Sequence, residues 1–183
     1  MAFGFIIRDG LESDIPACLS LDHTYTTEYV WQMTLHPDTG QVNVLLKTER
    51  LPREMEGMHQ PSEERLRLAL PEQQCFLVAA GKDEPEILGY LTMRKDEVHH
   101  IALVQDVVVS RPYRGRRIAT RLLRVARQWA LEQELKILTI EIQTKNFPAI
   151  QFCQQAGLSF SGFNDHYFSN QDIALFFSQT LRK

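Results

Sequence analysis

Cysteine, long apolar runs and low-complexity sequence are all scarce in this chain of 183 residues. The cysteines, Cys18, Cys75 and Cys153, are far apart and odd in number. They offer neither the clustered ligands of a metal site nor a disulfide framework, so no metal is expected and a reducing cytoplasm is the expected location. No apolar run approaches the roughly 20 residues that a membrane span needs. The segment Met1–Arg8 lacks the basic start and long apolar middle of a signal peptide, so no membrane partner is expected. Internal repeats and linkers rich in Gly, Ser or Pro are missing too, and a single domain over residues 1–183 is the expectation. The chain contains no G-x-x-x-x-G-K-S/T, which excludes a P-loop, and it has no dinucleotide-binding fingerprint.

What is present describes a folded protein: 44% of the residues are hydrophobic and 23% charged, unlike a disordered tail. A formal net charge of -3 argues against a nucleic-acid partner, yet seven of the 20 Lys and Arg residues are arginines between Arg111 and Arg127. One segment is thus built to attract anions. Periodicity predicts a strand over 3–8 and a helix capped by Ser13 or Asp14. Next comes a β-hairpin, in which Tyr29, Trp31, Met33 and Leu35 alternate with polar residues before a turn at Pro37–Gly40. Residues 49–61 read as a loop, and Ser62 caps a short helix that Pro71 ends. Strands are predicted over 75–80, 86–94 and 98–110, with a turn at 81–85. An amphipathic helix over 116–132 is followed by a strand at 137–143, a helix at 147–156 and closing strands at 158–168 and 173–180.

The run Val107-Val108-Val109-Ser110-Arg111-Pro112-Tyr113-Arg114-Gly115-Arg116-Arg117-Ile118-Ala119-Thr120 is the most informative. An apolar strand enters a turn containing glycine, and a long helix begins directly after it. The first amides of a helix have no intrahelical acceptor and lie at the positive end of the helix dipole. Gly115 permits a tight backbone and close approach by a ligand. Such a turn suits a diphosphate, with Arg114, Arg116 and Arg117 adding charge. A solvated basic helix face would use the same residues. A nucleic-acid patch would need interleaved aromatics, of which there is only Tyr113.

Arg114-Gly115-Arg116-Arg117-Ile118-Ala119 resembles the Q/R-x-x-G-x-G/A signature of the GNAT superfamily, whose backbone amides bind the pyrophosphate of acetyl-CoA. Arg117 stands where that family has its central glycine, a place an arginine can fill if the residue is helical. Asn146-Phe147-Pro148-Ala149-Ile150-Gln151-Phe152-Cys153-Gln154-Gln155-Ala156-Gly157-Leu158 is similar to a second family block, N-x-x-A-x-x-F-Y-x-x-x-G-F. The likeness narrows to the streptothricin acetyltransferase type. It has the early hairpin, Glu141-Ile142-Gln143-Thr144-Lys145-Asn146 against E-T-Q-x-x-N, and Gly162–Asn170 against G-x-x-D-x-x-Y-x-N. Gln105-Asp106 stands against an E-D pair on the cofactor strand. The resemblance implies an α/β (α+β) GNAT fold: a central mixed, mostly antiparallel twisted sheet flanked by helices, with an early β-hairpin.

The same resemblance implies transfer of an acetyl group from acetyl-CoA, as co-substrate, to the amine of a small molecule or peptide by direct attack in a ternary complex. A homodimer is compatible with it. Amides at Val107 and Val109, beside Val108, would hold the pantetheine arm and thioester oxygen. Arg114 through Thr120 would hold the pyrophosphate, while Asn146 and the helix bearing Phe152 would line the arm; Asn146 also reads as a plain helix cap. A substrate ammonium must lose its proton before it attacks, and Asp106 and Glu141, on apolar strands, are the candidate bases; a structural hydrogen bond or salt bridge is the alternative for each. The family's usual acid is a tyrosine at the position of Cys153. Cys153 itself or Tyr167 are the candidates for that role, against readings as a buried residue and a core aromatic. Tyr29 and Trp31 are expected either to line an amine pocket or to join the core. A non-catalytic acyl-CoA-binding module is the competing class.

Overall fold

The computed structural model describes residues 4–82 and 86–182, so residues 3 and 83–85 of the predicted strand and turn lie outside it. Among the described residues nine strands are present: β1 (Phe5–Asp9), β2 (Thr24–Asp38), β3 (Gln41–Met58), β4 (Cys75–Gly81), β5 (Ile87–Asp96), β6 (Ile101–Val109), β7 (Ile137–Gln143), β8 (Ser159–Asn164) and β9 (Ala174–Thr180). Four α-helices accompany them: α1 (Ile15–Leu19), α2 (Glu63–Leu68), α3 (Ile118–Glu132) and α4 (Phe147–Gln155). Seven strands form one sheet in the order β1-β4-β5-β6-β7-β9-β8, and β2 and β3 form a separate hairpin. Two compact units share the chain. The first takes the described residues up to His23, Gln60–Ile140 and those from Ser178; the second takes Thr24–His59 and Glu141–Phe177.

In the first unit β1, β4, β5 and β6 pair antiparallel, while β6 and β7 run parallel, joined through α3. Cys75–Ala80 of β4 and Ile87–Met93 of β5 are buried without alternation, because both sheet faces are covered. Helix α3 packs on β4, β5 and β6 and buries Ile118, Leu122, Leu123, Ala126 and Ala130. At three- and four-residue spacing these form one apolar stripe, and each buried leucine contributes roughly 2 kcal/mol. A separate cluster joins Ile15 and Cys18 of α1 and Leu66 of α2 to Phe76, Val78, Tyr90 and Val108. Ser62 caps α2, its hydroxyl accepting from the Arg65 amide at 3.2 Å. Asp14 occupies the N-cap of α1 without capping it. Its carboxylate accepts instead from Arg8 at 2.6 and 2.9 Å and from the Leu11 amide at 2.8 Å. The Arg8 hydrogen bond, more than any other contact, holds Asp14 below the usual carboxylate pKa.

The second unit contains the hairpin, α4, β8 and parts of β7 and β9. Its turn lies where the sequence puts it, with Gly40 left-handed at φ 81°. The predicted loop at 49–61 is corrected: β3 continues to Met58 and pairs with Thr24–Thr27. A register shift between Thr27 and Tyr29 absorbs the residues around Pro52, which has no amide to give a regular ladder. Tyr25 lies over Gly57, where an added Cβ would come within 2.4 Å of the ring.

Gly89 lies opposite Val109, and a Cβ there would reach 2.5 Å from the Val108 carbonyl oxygen and 3.2 Å from the Val109 Cα. Backbone cannot yield as a flexible side chain can. Gly89→Ala should therefore lower stability by about 2 kcal/mol in urea unfolding; an unchanged midpoint would show that β5 and β6 separate freely here.

Candidate functional site

In the first unit, β6 is the organising strand. Its register against β5 runs regularly from Ile101 to Val104, then skips: Met93 faces Val104, and Thr92 faces Asp106. Gln105 is the extra residue of a β-bulge, which bends the strand and interrupts its ladder. Among the described residues, pairing of β6 with β7 stops at Val104–Ile140. Val107, Val108 and Val109 thus face β5 partners in the stretch beyond that register. The Val108 side chain is buried, while Val107 and Val109 are half-buried.

After Val109 a single 3-10 turn, Arg111–Tyr113, leads into the arginine loop. Gly115 is left-handed at φ 77° and Arg117 at φ 61°. Arg117 is the N-cap of α3, with no side chain capping the first turn, and the first intrahelical bond runs from the Arg121 amide to the Arg117 carbonyl at 3.1 Å. The amides of Ile118, Ala119 and Thr120 therefore precede the helical ladder. Curled by two left-handed residues, these peptide groups form a concave donor array at the positive end of a 15-residue helix. A Cβ placed on Gly115 would meet nothing within 4 Å, so the exposed loop is open at that residue. Its donor chemistry and open approach fit a diphosphate.

The arginines around this array have other partners. Arg114 donates to the Val109 carbonyl at 2.9 Å and the Asp22 carbonyl at 2.8 Å, fastening the end of β6 to the segment before the hairpin. The Arg116 guanidinium lies over the Tyr113 ring at 5.6 Å, and the Tyr113 hydroxyl donates to Glu86 at 2.7 Å. Arg117 is not helical, as its accommodation had required, but left-handed. The conformation that favours glycine at this position is kept, and a side chain is carried in it.

Asp106 is buried and has the environment of a structural ion pair. Its carboxylate accepts from Arg65 at 3.0 and 3.3 Å and from the Thr92 hydroxyl at 2.5 Å. The buried His23 ring donates from Nδ1 to the Leu21 carbonyl at 2.6 Å, and its Nε2 hydrogen-bonds with the Tyr90 hydroxyl at 3.1 Å. Burial first, and Asp106 second, push the Tyr90 phenol far up and keep it protonated.

The second unit holds the other candidates. Tyr167 donates its hydroxyl to Glu141 Oε2 at 2.5 Å, with its ring edge-on to Phe168 and Phe176. A phenol and a carboxylate 26 positions apart thus form one hydrogen-bonded pair. Asn146 caps α4, its side-chain oxygen accepting from the Ala149 amide at 3.2 Å, which leaves its NH2 group to serve as a donor. Cys153 is wholly buried on α4, as a small core residue would be, whereas Phe152 is half-buried. Trp31 sits in an aromatic cluster with Phe177 at 5.6 Å and Phe160 at 6.1 Å. Tyr29 packs on Phe147 at 5.5 Å and keeps 38% of its surface exposed, enough to meet a ligand.

Arg65, Thr92, His23 and Tyr90 carry no local sequence signal. Their partners lie up to 67 positions away and are brought close only by the sheet.

Comparison with known proteins gives consistent results. The model of the acetyltransferase (GNAT) family matches residues 43–158. A streptothricin acetyltransferase of Escherichia coli is 33% identical over 79 residues, which is 43% of this chain and 45% of the relative, so the match spans less than half of either protein. The crystal structure of a nourseothricin acetyltransferase superposes with a TM-score of 0.83 at 21% identity, covering 97% of this chain and 99% of that one. A Bacillus anthracis str. Ames protein crystallised with acetyl coenzyme A gives 0.78 at 19% identity over the whole of both chains. At these identities the two structures establish the fold.

Two results are expected from this geometry. Burial pushes the thiols of Cys18 and Cys75 up to about 12, so neither should react with a disulfide reagent at pH 8 until the chain unfolds; fast labelling of the native protein would contradict their placement. Arg117→Gly relieves left-handed strain against a smaller entropic cost and should stabilise by roughly 0.5 kcal/mol. Arg117→Val, being β-branched, should destabilise on the same thermal melts.

Proposed function

Because the chain belongs to the acetyltransferase (GNAT) family, we propose that it is an N-acetyltransferase that moves the acetyl group of acetyl-CoA to a primary amine by direct attack. The observation that carries this reading is the left-handed turn at Gly115 and Arg117, which opens the first amides of α3 at the end of a bulged strand. Acetyl-CoA, when bound, supplies a thioester carbonyl activated for attack. Residues 115–120 offer amide donors for its diphosphate. Peptide groups of Val107 and Val109 offer donors for the pantetheine arm and the carbonyl oxygen, where charge develops as the amine adds. Asn146 adds a side-chain amide donor.

We assign the proton steps to Glu141 and Tyr167. The substrate ammonium first gives one proton to solvent; as the neutral amine adds to the thioester carbonyl, Glu141 takes a second proton from the nitrogen, and Tyr167 gives its own to the departing thiolate. The proton then passes from Glu141 to the phenolate across their hydrogen bond, restoring both groups. No covalent intermediate on the enzyme is needed, in keeping with the burial of Cys153. Tyr29, half-exposed beside Phe147, is the residue we assign to the amine. Streptothricin and nourseothricin, after which two relatives are named, are the first amines to test. No helix among the described residues is long and apolar enough to cross a membrane, and we place the reaction in the cytoplasm.

Calorimetric titration with acetyl-CoA should give micromolar binding. Gly115→Asp, which sets a carboxylate over the amide array, should weaken it at least about a hundredfold. Thiol release with the two amines should fall by roughly 10²–10⁴ in Glu141→Gln and Tyr167→Phe while acetyl-CoA still binds. A chain that binds acetyl-CoA but releases no thiol with any amine would be a binding module, and one that does not bind it would refute the assignment.

A further inference from the structure

A carboxylate buried beside the strand that receives a thioester invites the role of base, yet Asp106 is built for something else. Its two oxygens are taken by a guanidinium from α2 and a hydroxyl from β5. The Asp106 side chain is 1% exposed and that of Arg65 28%. A carboxylate withdrawn this far from water persists because its partners are fixed, and such buried pairs contribute definition of structure more than stability. We propose that Asp106 is a positioning residue: with Arg65 and Thr92 it locks the bulge at Gln105 and so sets the direction of the Val107 and Val109 peptide groups. This rests on the reading above, in which those groups receive acetyl-CoA.

The bulge explains why a lock is needed. An inserted residue leaves its strand unpaired at that point and increases the local twist, so the course of the following residues depends on what pins them. Asp106 is the first residue past the insertion, directly opposite Thr92. The Thr92 hydroxyl ties it to β5 at 2.5 Å, and Arg65 ties it to α2 through both oxygens. Arg65 is itself held, since its NH2 also donates to the Gln60 carbonyl at 2.6 Å. Helix α2 is anchored by the Ser62 cap and the wholly buried Leu66. Three elements therefore meet at one carboxylate, immediately before the residues whose amides matter. On the far side of those residues, Arg114 fixes the Val109 carbonyl. The segment Val107–Val109 is held at both ends by charged side chains, with the Val108 side chain set in the core.

The lock predicts a selective defect. Coenzyme A has a nucleotide end, recognised by the loop at Gly115, and a pantetheine end, recognised by β6. Displacing β6 should harm the second and spare the first. Calorimetry with acetyl-CoA and with 3'-phosphoadenosine 5'-diphosphate, which lacks the arm, separates them. Thr92→Val, nearly isosteric, and Arg65→Met should each weaken acetyl-CoA about tenfold, the loss of one or two hydrogen bonds. Both should bind the nucleotide within about twofold of wild type by the same scale. Thr92→Ser, which keeps the hydroxyl, should restore acetyl-CoA affinity. In the ligand-free protein, amide exchange across Gln105–Val109 should quicken in Thr92→Val while that of α3 is unchanged.

Equal losses for both ligands would reduce the network to general stabilisation and overturn the proposal. So would unchanged acetyl-CoA affinity in Thr92→Val and Arg65→Met; a collapse of turnover confined to Asp106→Asn would then return Asp106 to the role of base. A wild-type chain that binds neither ligand would instead refute the acetyltransferase reading on which the lock rests.

Discussion

Each peptide group of β6 has one N–H to give, and the whole arrangement follows from where those donors go. Along β5 the strand is committed to a ladder on both sides of the bulge. Against β7 its register ends at Val104. A strand cannot serve a neighbour and a ligand with the same donor, so a docking edge requires that pairing on one side be given up. The bulge at Gln105 follows the last β7-paired residue, Val104, and the crossover through α3 brings a second array of amides to the end of the same strand. Strand, turn and helix N-terminus are thus three consequences of one accounting constraint.

Electrostatics in the arginine segment follow the same logic. The sequence concentrates positive charge there, but the donors suited to an anion are backbone groups. Arg114 is engaged with carbonyls, and Arg116 lies on an aromatic face. In the proposed reading the side chains shape the turn and raise the local potential, which would speed the approach of anions, while amides at fixed positions would supply the selectivity. In that reading Arg117 can stand in place of the family's glycine at φ 61°, since the direction of the amide is what a diphosphate site would require.

Much of the architecture was legible in the sequence because its signals are local. Alternation from Tyr29 to Leu35 marks the hairpin, the stripe from Ile118 to Ala130 marks α3, and Ser62 marks the start of α2. The end of β3 was not, because Pro52 and sparse periodicity resemble a loop until a register shift accommodates them. The site divides along the same line. Gly115, Asn146, Glu141 and Tyr167 are visible one by one, but the Glu141–Tyr167 pair exists only because the fold brings the bend after β8, where the predicted strand over 158–168 stops at Asn164, beside β7. Arg65 and Asp106, 41 positions apart, could not be paired from spacing at all. The handedness of Arg117 was hidden for another reason: an arginine gives no warning of a positive φ, whereas a glycine would.

The interleaving of the two units has a kinetic consequence. Residues 178–182 complete the first unit: Ser178 bonds Thr139 at 2.9 Å, and the Leu181 amide donates to the Lys136 carbonyl at 2.7 Å. Between those partners the chain passes through Glu141–Phe177 of the second unit. During synthesis, β7 must wait for this detour before its neighbour β9 exists, with an apolar strand edge unpaired meanwhile. Long-range closures of this kind slow folding and lengthen the interval in which such an edge can meet another chain. The topology that delivers two arrays of amides to one strand end therefore leaves β7 of the nascent chain dependent on a strand made only after the second unit.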